Sequence, residues 1–251
     1  MRCDTRKMDV AFPLDPLQYP FEVPTRSFLW KAGRDESLPA SSPVDELTRQ
    51  RHAVLAIGSN ASPTQLTRKF LGNRFMDPST QNGRIPVLTA TVDEVDVVYG
   101  AHLASYGALP ATLLDTPGAC AQVFVTWLTS VQLEQMNETE GLGDAYQLRR
   151  ISGVRSHGET VAAMSYVTVD GVAVLGGGPL GLVSIQTTGS SWPRGTQRRA
   201  WDHLSADMDC GINGPALLDR VLRSTIWRER VELHLASNRL AENHGPSAPW
   251  S

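Results

Sequence analysis

The sequence predicts an α+β protein, and three observations carry that prediction. A short apolar run at 52–57 stops at Gly58-Ser59-Asn60 and passes at once into a proline-led helix start at Pro63. Strand-like runs separated by proline, glycine and Asp-Gly signals crowd residues 85–175. The C-terminal third then changes to helical periodicity.

In chain order, residues 1–50 are proline-rich, with Pro13, Pro16, Pro20 and Pro24 too frequent for a regular helix. Interleaved apolar residues such as Phe12, Leu17, Tyr19, Phe21 and Trp30 are too many for a solvated linker. An extended arm docked by its aromatics is expected, with a polar loop at 31–43 and a short helical turn at 45–50. The run 52–57 is short enough to favour a strand over a helix. Ser62 reads as an N-cap, Pro63 as the first helical residue, and Gln65 completes a capping box. That helix is expected to run to about residue 71, with Gly72-Asn73 as its stop. A strand, a glycine turn and a helix start leave backbone N–H groups unpartnered, which suits an anion or carboxylate.

Residues 85–99 alternate as a strand interrupted at Asp93-Glu94. A small-residue loop holding His102 and Tyr106 follows. Residues 111–115 and 121–127 are strands, and Thr116-Pro117-Gly118 between them predicts a hairpin turn. Thr129 or Ser130 caps a helix, with Gln132 available for a capping box and Gly141 as its stop. Strands are expected at 146–151 and 160–169, then a hairpin at Asp170-Gly171 with a return over 172–175. Residues 196–208 form a helix. Asn213 or Gly214 with Pro215 opens one long amphipathic helix to about His234.

The chain has 251 residues, 41% apolar and 20% charged, with a formal charge of −3. That describes a globular protein with a real core and gives no electrostatic reason for a nucleic acid or an acidic membrane as partner. No run reaches the roughly 18 apolar residues of a membrane span, and the first 24 residues lack the apolar stretch of a secretory signal. Three widely spaced cysteines, Cys3, Cys120 and Cys210, form neither a disulfide framework nor a zinc motif. They fit a reducing compartment, so a cytoplasmic protein without a metal is expected.

Three pieces line up in order: the strand ending in Gly58-Ser59-Asn60, the segment from Ala111 through Pro117-Gly118 to Trp127, and the helix from Leu133 to Glu140-Gly141 followed by Tyr146. As a set, across about residues 52–170, they resemble the γ-glutamylcyclotransferase-like superfamily. The resemblance implies a small mixed β-barrel with flanking helices and a cavity at one end. It divides the chain into an arm at 1–50, a core at 51–180 and a helical extension at 181–251. Its implied chemistry is transferase or lyase in type and needs no cofactor. The α-amino nitrogen of a γ-glutamyl amide attacks the γ-carbonyl, 5-oxoproline forms, and an amine leaves. Glu140 is implied as the acid/base, because a protonated α-amino group must lose a proton before it attacks. The Gly58-Ser59-Asn60 backbone is implied as the holder of the substrate's anionic end, with Ile57 on the same binding wall; Tyr146 either joins that wall through its hydroxyl or fills a strand face. The family usually carries a tyrosine where this chain has Ile57.

Read alone, these residues are weaker signals. Glu140 is a carboxylate at a helix C-terminus, where the helix dipole disfavours it. Glu134 and Glu138 read as solvated, and Ser59 lacks a neighbouring base that would make it a nucleophile. His102 reads as a packing residue, His157 as a turn residue and Cys120 as a small core residue. Two other readings stand beside the cyclotransferase: a non-catalytic small-acid-binding module on the same fold, and an amide hydrolase or acyltransferase using the same Glu140.

Overall fold

The computed structural model describes residues 14–38, 42–70 and 80–240. A 3-10 turn at Pro16–Gln18 precedes β1 (Phe28–Lys31), β2 (Arg34–Ser37), α1 (Val44–Thr48) and β3 (His52–Ala56). A second turn, Ser59–Ala61, leads into α2 (Pro63–Phe70), and β4 (Arg84–Tyr99) and β5 (Ala111–Leu128) follow. Next come α3 (Ser130–Glu140), β6 (Tyr146–Ile151), β7 (Val154–Ser156), β8 (Glu159–Thr160) and β9 (Ala163–Thr168). The remainder is β10 (Val172–Ala173), β11 (Gly181–Leu182), β12 (Thr187–Thr188), β13 (Arg194–Gly195), α4 (Gln197–Asp207), α5 (Gly214–Arg223), α6 (Thr225–Ser237) and β14 (Arg239–Leu240).

The α+β class stands: a mixed sheet of twelve strands with helices packed against it. Its path runs β13-β11-β4-β5-β3-β9-β6. Pairing is antiparallel except for β3 with β9 and β11 with β13. A closed barrel is not found among the described residues. After β6 the chain breaks at Ser152-Gly153, with Gly153 at φ 72°, and β7 pairs β4 rather than β6. Backbone in the left-handed region does not continue a strand, so the ladder stays open there.

Strand alternation sorts the side chains between the two larger of three cores. Ala53, Leu55 and Ile57 join the larger one, with Trp201, Leu204, Leu217, Val221 and Leu235 of the C-terminal helices. Val54 points the other way, into a core with Leu66 and Phe70 of α2 and Met136 of α3. Asp96 ties the C-terminal segment to β4. It is fully buried and accepts hydrogen bonds from Arg194, Thr187 and Ser190. Burial pushes its carboxyl up, but those donors outweigh burial and hold it below the usual range.

Several local expectations change. Thr116-Pro117-Gly118 is a bulge inside β5, not a hairpin turn. Asp93 pairs Cys120 and Val95 pairs Asp115, so Glu94 alone faces residues 116–119. The bulge accommodates the missing proline N–H and the positive φ of Gly118, whose N–H donates to Glu94. The hairpin is instead β4 to β5, joined by residues 100–110. β10 pairs β14 rather than returning along β9. The single long C-terminal helix is two, α5 and α6, broken at extended Ser224, whose side chain caps α6.

The Ser62–Gln65 capping box does not form, and Ser62 Oγ has no hydrogen-bond partner. Thr129 and Gln132 do form the expected box at α3. Residues 28–37 are sheet rather than a docked arm: β1 pairs β4, Trp30 is fully buried, and β2 occupies part of the expected loop. Phe12, Pro13, Cys3 and the Gly72-Asn73 helix stop lie outside the described residues.

Candidate active site

A cavity of about 320 Å³ opens where β3 ends. Its walls include the Gly58 turn with α2, the end of α3 with Tyr146, the 102–106 loop, Pro110-Ala111, Tyr166 of β9, and Tyr19. Ile57, Gly58, Ser59, Asn60, Glu140 and Tyr146, all singled out from the sequence, line this one space.

Glu140 is the last residue of α3. Gly141 closes that helix in the left-handed conformation (φ 65°, ψ 46°), returning its N–H to Asn137. A carboxylate at a helix C-terminus needs compensation, and two neighbours supply it. Asn60 Nδ2 donates to Glu140 Oε1 at 2.9 Å. Lys69, one turn beyond Gln65 on α2, sets its ammonium against the same oxygen. The Lys69 and Glu140 side chains are only 10% and 13% exposed. Glu134 and Glu138 are exposed, as expected.

Tyrosines surround this pair. Tyr19, Tyr106, Tyr146 and Tyr166 line the cavity. Burial, with the Glu140 charge among the further causes, pushes all four hydroxyls above their ordinary range. They are therefore neutral at physiological pH, and Tyr166 gives its hydroxyl proton to Asn137 Oδ1. The Ser59 side chain is among the causes that lower the Tyr106 pKa against that rise. His102 is not merely a packing residue: it lines the cavity, meets Tyr146 edge-on at 5.1 Å, and sets Nδ1 2.9 Å from Thr168 Oγ1. Burial lowers its pKa to about 4, so the ring is neutral. His157 sits in the β7–β8 turn (φ 52°), and Cys120, half-buried on β5, lies outside the cavity.

Two acceptors beside the cavity are unspent: Asn60 Oδ1 and Gln65 Oε1 have no protein partner. Arg68, exposed at the rim, lies over the Tyr106 ring. With Lys69 and Glu140 offsetting each other, the surplus charge at the cavity is positive. The arrangement suits a zwitterion: acceptors and a carboxylate for an ammonium, a guanidinium and tyrosine hydroxyls for a carboxylate. Among the described residues no cluster of His, Cys, Asp and Glu is arranged to hold a metal ion, and no helix is long and apolar enough to cross a membrane.

Sequence reasoning missed Lys69, Arg68 and Tyr19. A signal existed for the first two. Any helix opening from the Gly58 turn puts Gln65, Arg68 and Lys69 on one face. Nothing local marked Tyr19, whose nearest contacts come from residues 58 and 111.

No family model matches the chain, and no curated protein matches it. Solved structures similar to it include a gamma-glutamyl cyclotransferase, 18% identical over 47% of this chain and 66% of that one, with a TM-score of 0.36. An uncharacterized Homo sapiens protein is also 18% identical, over 48% of this chain and 68% of that one, with a TM-score of 0.38. YkqA from Bacillus subtilis is 12% identical over 77% of this chain and 57% of that one, again with a TM-score of 0.38. The chain thus spans about two thirds of the length of the first two.

Proposed function

We propose that the chain is a γ-glutamylcyclotransferase-type enzyme that releases an amine from a γ-glutamyl amide by cyclisation to 5-oxoproline. One observation carries the reading: the carboxylate of Glu140 faces the Gly58-Ser59-Asn60 turn in a single cavity and is held there by Asn60. In this mechanism the substrate lies folded back, so that its α-nitrogen and γ-carbonyl meet within one molecule. Glu140 takes a proton from the α-ammonium. The freed nitrogen attacks the γ-carbon and a tetrahedral oxyanion forms. Its collapse breaks the γ-carbon bond to the departing nitrogen, which takes the proton back from Glu140; the ring nitrogen gives its second proton to Glu140 and through it to the freed amine, leaving 5-oxoproline and an ammonium. Asn60 Oδ1 and Gln65 Oε1 complete the ammonium end. Arg68 and the Gly58 turn receive the carboxylate. Neutral tyrosine hydroxyls other than that of Tyr166 supply donors to the oxyanion. No step needs a cofactor.

The pairing with Lys69 favours the non-catalytic alternative in one respect. A carboxylate that already holds an ammonium must release it before serving a substrate. Turnover decides between the two. A panel of γ-glutamyl amines, analysed by mass spectrometry, should yield 5-oxoproline with the wild-type chain. Glu140→Gln should lower kcat by about 100-fold or more, the scale of a lost general base. Equal turnover by the two proteins would remove Glu140 from the chemistry, and binding of a small acid without turnover would establish the binding module instead.

A further inference from the structure

We infer that Tyr19, brought in from the N-terminal segment, donates its hydroxyl to an anionic oxygen of the ligand held at the Gly58 turn. The inference rests on reading the cavity as a site for a small acid.

Tyr19 is built into place rather than draped over the site. Asp15 Oδ1 caps the turn before it by accepting from Leu17, and Tyr19 N–H returns to Pro16. Phe21 packs edge-on against the Tyr19 ring and lies beside Tyr106. The residue is 7% exposed yet lines the cavity. Its oxygen is fixed on two sides. It accepts the N–H of Ala111 at 2.8 Å, and it lies so close to the Gly58 backbone that a β-carbon there would come within 2.2 Å of it. The hydroxyl therefore sits on the turn itself, beside an apolar Ile57 that offers no donor.

One bonding capacity is left over. The Ala111 N–H uses a lone pair of the oxygen, and the O–H proton has no acceptor among the described residues. Buried phenols find a partner for that proton when one is available. Burial and the neighbouring Tyr106 keep the group protonated, so its O–H is available to a ligand. A donor already oriented by a second hydrogen bond, on a turn suited to anions, is arranged for a ligand carboxylate or oxyanion.

The test uses the full chain as wild type, Tyr19→Phe and Phe21→Leu. It measures KM and kcat on γ-glutamyl amines, the Kd of 5-oxoproline by calorimetry, and Tm. Tyr19→Phe should raise both KM and Kd by about tenfold or more, the scale of a hydrogen bond to a charged group. Phe21→Leu, which loosens the packing against the Tyr19 ring but keeps the donor, should lower Tm and weaken KM and Kd much less than Tyr19→Phe does. Unchanged KM and Kd in Tyr19→Phe would overturn the inference. Equal weakening by Phe21→Leu would also overturn it, since packing alone would then explain the effect. If the wild type binds the acid without turnover, the enzyme reading fails and the Kd comparison still decides Tyr19. If it neither binds nor turns over, both fall.

Discussion

The ammonium of Lys69 and the carboxylate of Glu140 form a nearly buried ion pair that joins α2 to the last residue of α3. The pair explains why a negative charge is tolerated at a helix C-terminus. It also joins two helices that share the core of Leu66, Phe70 and Met136. Breaking such a pair from one side strands the remaining charge, whereas removing both partners does not.

Lys69→Met should therefore destabilise the chain by about 1–3 kcal/mol, reduced from the fully buried case because some water reaches both groups. Adding Glu140→Gln should recover much of that loss. Denaturant unfolding of the wild type, both single variants and the double variant measures the coupling directly. Single-variant costs that simply add would show that the pair contributes no coupling energy.

Asn60 positions Glu140 through one amide hydrogen bond. Asn60→Ala leaves the carboxylate its ammonium partner but frees its angle toward the cavity. The expected result is a kcat lower by roughly tenfold with a smaller change in KM, since a misplaced acid/base costs most in the transition state. A change confined to KM would leave Asn60 a substrate contact alone, with no part in positioning Glu140.

The legible parts of this molecule were those written locally. The strand at 52–57, the glycine turn and the capped helix ending at Gly141 each carry their own signal, and together they delivered Glu140 and the turn to one cavity. Long-range pairing was not legible. Pro117-Gly118 has the composition of a hairpin turn, yet β4 continues alongside on both sides of it, so the strand bulges and resumes. Asp170-Gly171 looks like a hairpin, but β10 finds its partner in β14, which lies far along the chain. β1 reads as aromatic arm because the strand it pairs, β4, lies more than fifty residues downstream. Tyr19 was not legible for the same reason: its place depends on residues 58 and 111, not on neighbours in sequence.

Two glycines of the site should respond to alanine for different reasons. Gly58 has ordinary negative φ (−139°), but a β-carbon would meet Tyr19 Oη at 2.2 Å and Ala111 Cβ at 3.1 Å. Gly141 has open space around it, but its φ of 65° disfavours any side chain. Gly58→Ala should thus cost about 1–3 kcal/mol through displaced packing and should weaken ligand binding by moving Tyr19. Gly141→Ala should cost about 1 kcal/mol through the backbone alone. Thermal unfolding with calorimetric binding separates them: loss of affinity only in Gly58→Ala is the expected pattern.

His102 supplies a pH dependence with a defined sign. Burial, the largest cause, holds its pKa at about 4 in the folded protein; nearby Asp170 raises it and Arg228 lowers it. Thr168 and Tyr146 are the neutral groups against the ring. In the unfolded chain the same imidazole titrates near 6.5. Between these values the unfolded chain binds a proton that the folded one does not, so stability falls as pH drops through that window. The full difference amounts to about 3 kcal/mol and is lost by the time the folded pKa has been passed. His102→Gln keeps a polar side chain beside Thr168 but cannot titrate. Unfolding free energies measured from about pH 7 down to about pH 4.5 should therefore fall more steeply for the wild type than for His102→Gln. Parallel curves would mean that the ring is protonated in the folded state, and that the cavity admits enough water to solvate it.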